Sequence, residues 1–473
     1  MLHLTSSSFS TPLTLLALVA VFFALRVRAR KAWNLKSQHN APCTSLTYPI
    51  LGTLQYFSGH WDFLRRATAE GTVSFHLASQ QCIAVPVDKR HEFFSDSRSS
   101  FALAYAVMLG ATPSMNKDFL RSMGFDITLG GRAVKFLATL LLNERINSNR
   151  FLLYQYAGEC ISSLDTVTNP FSEIYRVVFR LTVNKIAASS ISASPGVCDA
   201  LVEVFHELDQ SGRRAATTKI RCNISSTKDC LHWRLRRAHR ESFTLRGIRL
   251  VHTRRLILRT ANTDVVAAYF LCDLATHPAY LTLIRAELRA FVSQFNPDET
   301  LPLSTRLQSI TMEDWLRHDA LPLTNRCLKE TLRLRIATPF HRLNDSGKDV
   351  EIAGTVVPHG TILTFHSSFM HHSEDFYVEP LVWDPERFSA ERAEDKGRPM
   401  AFAGWGLGKH QCLGQRLGKF EIFLITALMV SSYDMQTVHE DGMPMIEIPP
   451  VQLNDEVVSP PKQPVHLELS VRC

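Results

Sequence analysis

The 473-residue chain is 45% hydrophobic and 21% charged, the composition of a globular protein with a substantial core. Its net charge of +7 is unevenly placed: residues 213–259 hold 14 Lys and Arg against two acids, so the remainder carries −5 and no basic face for nucleic acid spans the fold. The ten cysteines form no C-x-x-C pair, which argues against a zinc site or a dense disulfide framework and points to a reducing compartment.

Residues 9–25 are largely apolar and uncharged, and Arg26, Arg28, Arg30 and Lys31 follow at once. A cleaved signal peptide carries its charges before the apolar run. Charges after it, by the positive-inside rule, leave the rest of the chain in the cytosol. Residues 1–31 are therefore expected to be a single-pass N-terminal anchor with a basic flank, in the endoplasmic reticulum membrane. Pro42, Pro49 and Gly52 predict a hinge over 32–60, with the globular body over 61–473.

Rough alternation of Phe75, Leu77, Ile83, Val85 and Val87 predicts strands between 72 and 87. From 119 to about 188 the pattern is helical, and Ile174, Val177, Val178 and Leu181 mark a core face. Residues 219–259 show little periodicity. A run such as Arg234-Leu235-Arg236-Arg237 fits a solvated helix face, a basic surface, disorder or an aberrant gene product, and no function is assigned to it. Pattern returns at residues 261–277, a buried helix ending before Pro278.

The next helix, residues 325–334, places Glu330 and Arg333 three apart and hence on one face. Residues 350–352 and 356–365 read as short strands around Gly354 and Pro358-His359-Gly360. Six histidines lie from His341 to His410 without metal-ligand spacing; apart from His410 they are read as solvated or packing residues. A Pro385-Glu386-Arg387-Phe388 segment precedes the densest motif in the chain, Trp405-Gly406-Leu407-Gly408-Lys409-His410-Gln411-Cys412-Leu413-Gly414. Glycines at this density let backbone approach a flat, bulky group. A cysteine opening the helix predicted over 415–429 has its thiolate stabilised by that helix N-terminus. This is the setting of a thiolate ligand to haem iron, and equally of a buried structural cysteine in a turn. A strand-rich tail is expected to follow the helix.

Trp405, Gly408, His410, Cys412 and Gly414 resemble the haem-binding signature of the cytochrome P450 family, the haem-thiolate monooxygenases. Glu330 with Arg333, 82 residues before Cys412 at the glutamate, and the segment ending at Phe388, 24 before it, resemble that family's other landmarks in order and spacing. The resemblance implies a mainly α fold with a small β region, preceded by one transmembrane helix. It makes Cys412 the axial ligand of haem b, with Trp405, Gly408 and Gly414 shaping the cofactor loop. His410 and Arg342 would reach the propionates, and Glu330, Arg333 and Arg387 would form a structural clasp. Asn262 and Thr263 would stand over the iron for proton delivery, with Leu258 and Arg259 where small residues border the oxygen groove. Electrons would come from NADPH through a membrane-bound cytochrome reductase docking near Lys409 and Lys419. The implied reaction is oxidation of an apolar small molecule, terpenoid- or sterol-like, in secondary metabolism. Asn262 also fits the prostacyclin synthase branch, which implies an alternative: a haem-dependent isomerase or dehydratase needing no reductase. A third reading is a catalytically impaired protein, disrupted at 213–259.

Overall fold

The computed structural model describes residues 52–77, 80–101, 103–104, 147, 150–186, 196, 199–203 and 262–472. The expected anchor, the start of the hinge, Leu258, Arg259 and the whole basic segment 213–259 lie outside these residues, as does most of 119–149. Among the described residues no helix is long and apolar enough to cross a membrane.

In chain order the elements are α1 (Leu54–Ala67), β1 (Val73–Leu77), β2 (Gln80–Ala84), α2 (Arg90–Ser95), β3 (Ser99–Ser100), α3 (Arg150–Ser162), β4 (Val167–Thr168) and α4 (Pro170–Ile186). After the basic segment come α5 (Thr263–Ala275), α6 (Pro278–Ser293), α7 (Met312–Leu316) and α8 (Pro322–Arg335). Four strands follow, β5 (Pro339–Asn344), β6 (Val350–Ile352), β7 (Thr355–Val357) and β8 (Ile362–His366). The chain closes with α9 (Gln415–Ser432), β9 (Tyr433–Val438) and β10 (His466–Val471). The fold is thus mainly helical with a smaller β part, as expected.

Two compact units form, one of residues 1–116 and 340–365, the other of 117–339 and 366–473. The body expected from residue 61 thus spans parts of both units, because the chain leaves the first and returns to it for β5 to β8. The expected hinge over 32–60 is also shortened, since α1 already begins at Leu54 and buries Tyr56 and His60.

The first unit is built on a five-stranded mixed sheet of order β1-β2-β8-β5-β3. β1 and β2 pair antiparallel, whereas β2 runs parallel to β8 with Cys82 opposite Ile362. The stretch 356–365 is split into two strands by Pro358-His359-Gly360, where Gly360 has φ +83°. α1 packs its aromatic face on the sheet: the Phe75 ring lies 5.4 Å from Tyr56 and 5.2 Å from Phe63. Phe75 and Phe63 are both buried, and each such side chain contributes roughly 1.5–3 kcal/mol by leaving water.

The second unit is organised on α5, in which every residue from Asp264 to Ala275 is buried. A helix apolar on all sides is a core element, not a surface one. Pro278 begins α6 at a position where its missing amide costs nothing, and α5 stops just before it. α4, α8 and α9 all pack on α5. At the edge, β9 and β10 form an antiparallel pair with His466 opposite Val438, and β4 extends it through Thr168 opposite Leu467.

Candidate active site

Glu330 lies on α8 with Arg333 one turn on, and both are wholly buried. Arg333 grips the carboxylate with two parallel bonds: Nε donates to Oε2 and Nη2 to Oε1, each at 2.7 Å. Arg387, in the single turn Pro385–Phe388, donates from Nε to Glu330 Oε1 at 3.0 Å, and the Asp384 amide donates to the same oxygen at 3.0 Å. One buried carboxylate thus serves two guanidiniums, which meets the requirement that buried charge be paired and fully hydrogen-bonded.

The remaining guanidinium protons reach backbone and, from Arg387, a second carboxylate. Arg333 Nη1 donates to the carbonyls of Pro380, at 2.7 Å, and His371. Arg387 donates to the carbonyls of Val378, at 2.7 Å, and Val382, at 3.0 Å, and to Glu394 at 2.9 Å. The sequence-predicted trio of Glu330, Arg333 and Arg387 is therefore assembled as one node.

A second tie joins α8 to α5. Asp273, fully buried, pairs with Arg335 and accepts from Thr331 Oγ1 at 2.7 Å. Thr331 in turn accepts from the Trp383 indole at 3.0 Å. Neighbouring residues 330 and 331 therefore hold neighbouring residues 384 and 383. Sequence reading missed Asp273 and Thr331, because a lone acid and a lone threonine on helices carry no spacing signal.

His371 connects the node to the cysteine loop. Its carbonyl accepts from Arg333, and its ring Nε2 accepts from the Ala403 amide at 3.0 Å. Its Nδ1 faces the Ile336 carbonyl at 3.3 Å, which selects the neutral tautomer with the proton on Nδ1. Burial, then the fields of His372 and Arg333, lower its pKa from 6.5 to about 3. The folded value is below the unfolded one, so the stability His371 supports is present above pH 6.5 and drains as pH falls towards 3. The packing role read for this histidine holds, and the structure adds that it positions the loop. His371→Ala should strand the Ala403 amide at a cost of about 1–3 kcal/mol in urea unfolding; a loss below half of that would remove this role.

From Ala403 the chain turns tightly. The Gly406 amide donates to the Ala403 carbonyl at 2.9 Å, and the Cys412 amide closes the loop on the Trp405 carbonyl at 2.8 Å. Gly406 has φ +74°, and a Cβ there would lie 2.7 Å from the His410 carbonyl oxygen. At Gly404 a Cβ would meet Leu332 of α8 at 2.9 Å, so that glycine lets the loop lie on the helix of the Glu330 node. Gly408, Lys409 and His410 form a single turn, with Lys409 exposed and His410 half-buried.

Cys412 stands immediately before α9, a free and exposed thiol. Surrounding protein raises its pKa, while the amides of Gly414 and Gln415 hydrogen-bond the sulfur and oppose that rise. The thiol is thus enclosed on one side and accessible on the other. On the far side of α9's first turn, a Cβ at Gly418 would lie 3.0 Å from Thr263 Oγ1 and 3.8 Å from the Trp405 ring. Thr263, Trp405 and the helix that follows Cys412 therefore meet, while Asn262 is the exposed N-cap of α5.

Arg342 belongs to the first unit, buried on β5 with its guanidinium 5.4 Å over Phe93 and 5.3 Å over Phe101. Lys419 lies 5.3 Å over the Phe423 ring, and burial lowers its pKa.

The donor chemistry fits haem iron. The Cys412 sulfur faces amides at a helix N-terminus, in a loop closed by glycines, the setting of a thiolate ligand to iron; among the described residues no group of three or more His, Cys, Asp or Glu could hold a metal. Residues 129–467 match the family model described as cytochrome P450. Over 90% of its length the chain is 24% identical to a cytochrome P450 monooxygenase of Pseudocercospora fijiensis, covering 94% of that protein. It is 25% identical to the cytochrome P450 monooxygenase AacuE of Aspergillus aculeatus, over 85% of this chain and 87% of that one. A third relative, nsrP of Aspergillus novofumigatus, is 24% identical over 86% of each chain. The chain belongs to the cytochrome P450 family, and with it to the haem-dependent oxidoreductases of the monooxygenase class.

Proposed function

We propose that this chain hydroxylates, or otherwise oxidises, an apolar small molecule of terpenoid or sterol type in secondary-metabolite biosynthesis, using O2 and electrons that a cytochrome reductase draws from NADPH. The observation that carries the reading is the continuous link from the Glu330 node through His371 to the loop bearing Cys412. The likeness to fungal monooxygenases over most of each chain supports it. The apolar run 9–25 with its basic flank supports residence in the endoplasmic reticulum membrane, body in the cytosol, where an apolar substrate partitions.

Haem bound at this loop supplies O2 activation, and an axial thiolate favours O–O cleavage. Cys412 would hold the iron, the Gly414 and Gln415 amides favouring its thiolate against the burial that raises its pKa. Trp405, Gly408 and Gly414 would shape the loop that holds the haem, His410 would take a propionate, and Arg342 keeps the propionate role that the resemblance implies. Asn262 and Thr263, at the start of α5, would orient the proton-bearing groups, and exposed Lys409 would face an acidic patch on the reductase.

The test is product formation with and without NADPH and reductase, on the haem-loaded full-length protein offered apolar terpenoid and sterol substrates. Turnover strictly dependent on both is expected. Product formed with neither present would replace the proposal with a haem-dependent isomerase or dehydratase, the alternative that Asn262 suggests. A soluble protein with no carbon monoxide difference band would mark an impaired haem protein.

A further inference from the structure

Glu421 lies on α9, two turns beyond Cys412, and is only 2% exposed. Its Oε1 accepts from the Thr182 hydroxyl of α4 at 3.0 Å, a bond across the junction of α4, α5 and α9. From α5 the group whose charge acts on it is Asp264, itself 4% exposed in the helix's first turn. Among the described residues no cation acts on Glu421 from α3, α6 or α7, the other helices packed on α9. The nearest cations by sequence are engaged elsewhere. Arg180 of α4 is bound to Glu159 at 3.1 Å and lies over Tyr156, and Lys419 lies over Phe423.

Both this carboxyl and that of Glu330 are buried, but Glu330 is clasped by two guanidiniums, whereas Glu421 is bonded by a hydroxyl and lies in the field of a second acid. Among the described residues an ionised carboxylate in the latter setting has no compensating charge, and the physical response is to keep its proton.

We propose that Glu421 is a proton-holding site of the folded protein, carried as a neutral carboxylic acid between Thr182 and Asp264, whose ionisation loosens the packing of α9 on α4 and α5. Gln415 and Glu421 are separated by six residues, about 9 Å along the helix axis. A neutral Glu421 therefore keeps negative charge away from the helix whose N-terminal amides face the Cys412 sulfur. Burial, and then the field of Asp264, raise its pKa from 4.5 to about 8, with the Thr182 bond opposing the rise. The folded value exceeds the unfolded one, so the folded state binds more protons between these limits. Stability is highest below pH 4.5 for this group and declines as pH rises through 8.

The experiment is the infrared spectrum of the haem-loaded full-length protein, followed with pH alongside its unfolding midpoint. At pH 6 a carbonyl band of a protonated carboxylic acid is expected that Glu421→Gln removes and that fades as pH passes about 8. Glu421→Gln keeps the shape and the acceptor for Thr182, so it should bind haem normally and lose the alkaline decline in unfolding midpoint. Asp264→Asn should lower the pH at which the band fades, because a like charge is removed. The proposal is overturned if the Glu421→Gln spectrum is unchanged at pH 6, or if its unfolding midpoint falls with pH as steeply as that of the parent. Should Glu421→Gln fail to fold, the parent spectrum decides: a protonated-carboxyl band lost near pH 8 and shifted by Asp264→Asn supports the site, and no such band refutes it.

Discussion

Cys412→Ala is expected to abolish the carbon monoxide difference band of the reduced protein while leaving the polypeptide folded. The expectation rests on the separation between the thiol and the loop that carries it. The loop is closed by backbone, through the Cys412 amide on the Trp405 carbonyl and the Gly406 amide on the Ala403 carbonyl, and alanine preserves both. The thiol is exposed, so its removal opens no cavity, and surface substitutions of this kind usually cost within about 0.5 kcal/mol. Far-ultraviolet circular dichroism and urea unfolding should therefore match the parent, while the spectrum of the thiolate-bound iron disappears. A retained band would assign the axial ligand to another residue.

The second large effect is on the fold itself. Glu330→Gln leaves the buried Arg333 without its anion and the buried Arg387 with Glu394 alone. Glutamine turns its own amide donors towards guanidinium donors, so one of the two bonds from Arg333 becomes a repulsive contact. Breaking a buried ion pair by removing one partner costs about 3–5 kcal/mol, a large share of the roughly 5–15 kcal/mol by which proteins are stable. Little soluble protein should be recovered, and what is recovered should unfold at markedly lower denaturant and hold haem poorly. An unfolding free energy within 1 kcal/mol of the parent would mean that the carbonyl bonds, not the carboxylate, hold this node together.

The parts of the site legible in the sequence are those whose partners are local or carry a motif. Glu330 and Arg333 are one helical turn apart, and Cys412 is set among glycines at positions only a tight loop requires. Arg387 was found through its Pro-Glu-Arg-Phe context. What was not legible depends on contacts between residues far apart in sequence. Nothing in the surroundings of His371 marks it as the acceptor for Ala403, 32 positions on. Asp273 and Thr331 lie 58 apart, and Thr182 and Glu421 lie 239 apart. The fold class came from the family resemblance, with which the helical pattern and short strands agree, but the division into two units was not legible, because strand periodicity does not reveal that β2 pairs with β8 across most of the chain. Thr263 was expected over the iron from the family resemblance; the structure adds that it and Trp405 lie against Gly418, which no helical periodicity encodes.

The node around Glu330 also explains the surface above it. To satisfy the two arginines, the segment from Val378 to Val382 turns its carbonyls inward, with Glu379 taking φ +45°. A backbone that points its oxygens into the core has its side chains left facing out. Val378, Leu381 and Val382 are accordingly 64%, 69% and 51% exposed. This strip of greasy surface is a by-product of solvating two buried cations with peptide groups. Its side chains make none of the bonds that hold the arginines, whereas the path of the main chain beneath them is fixed by the carbonyls it turns inward.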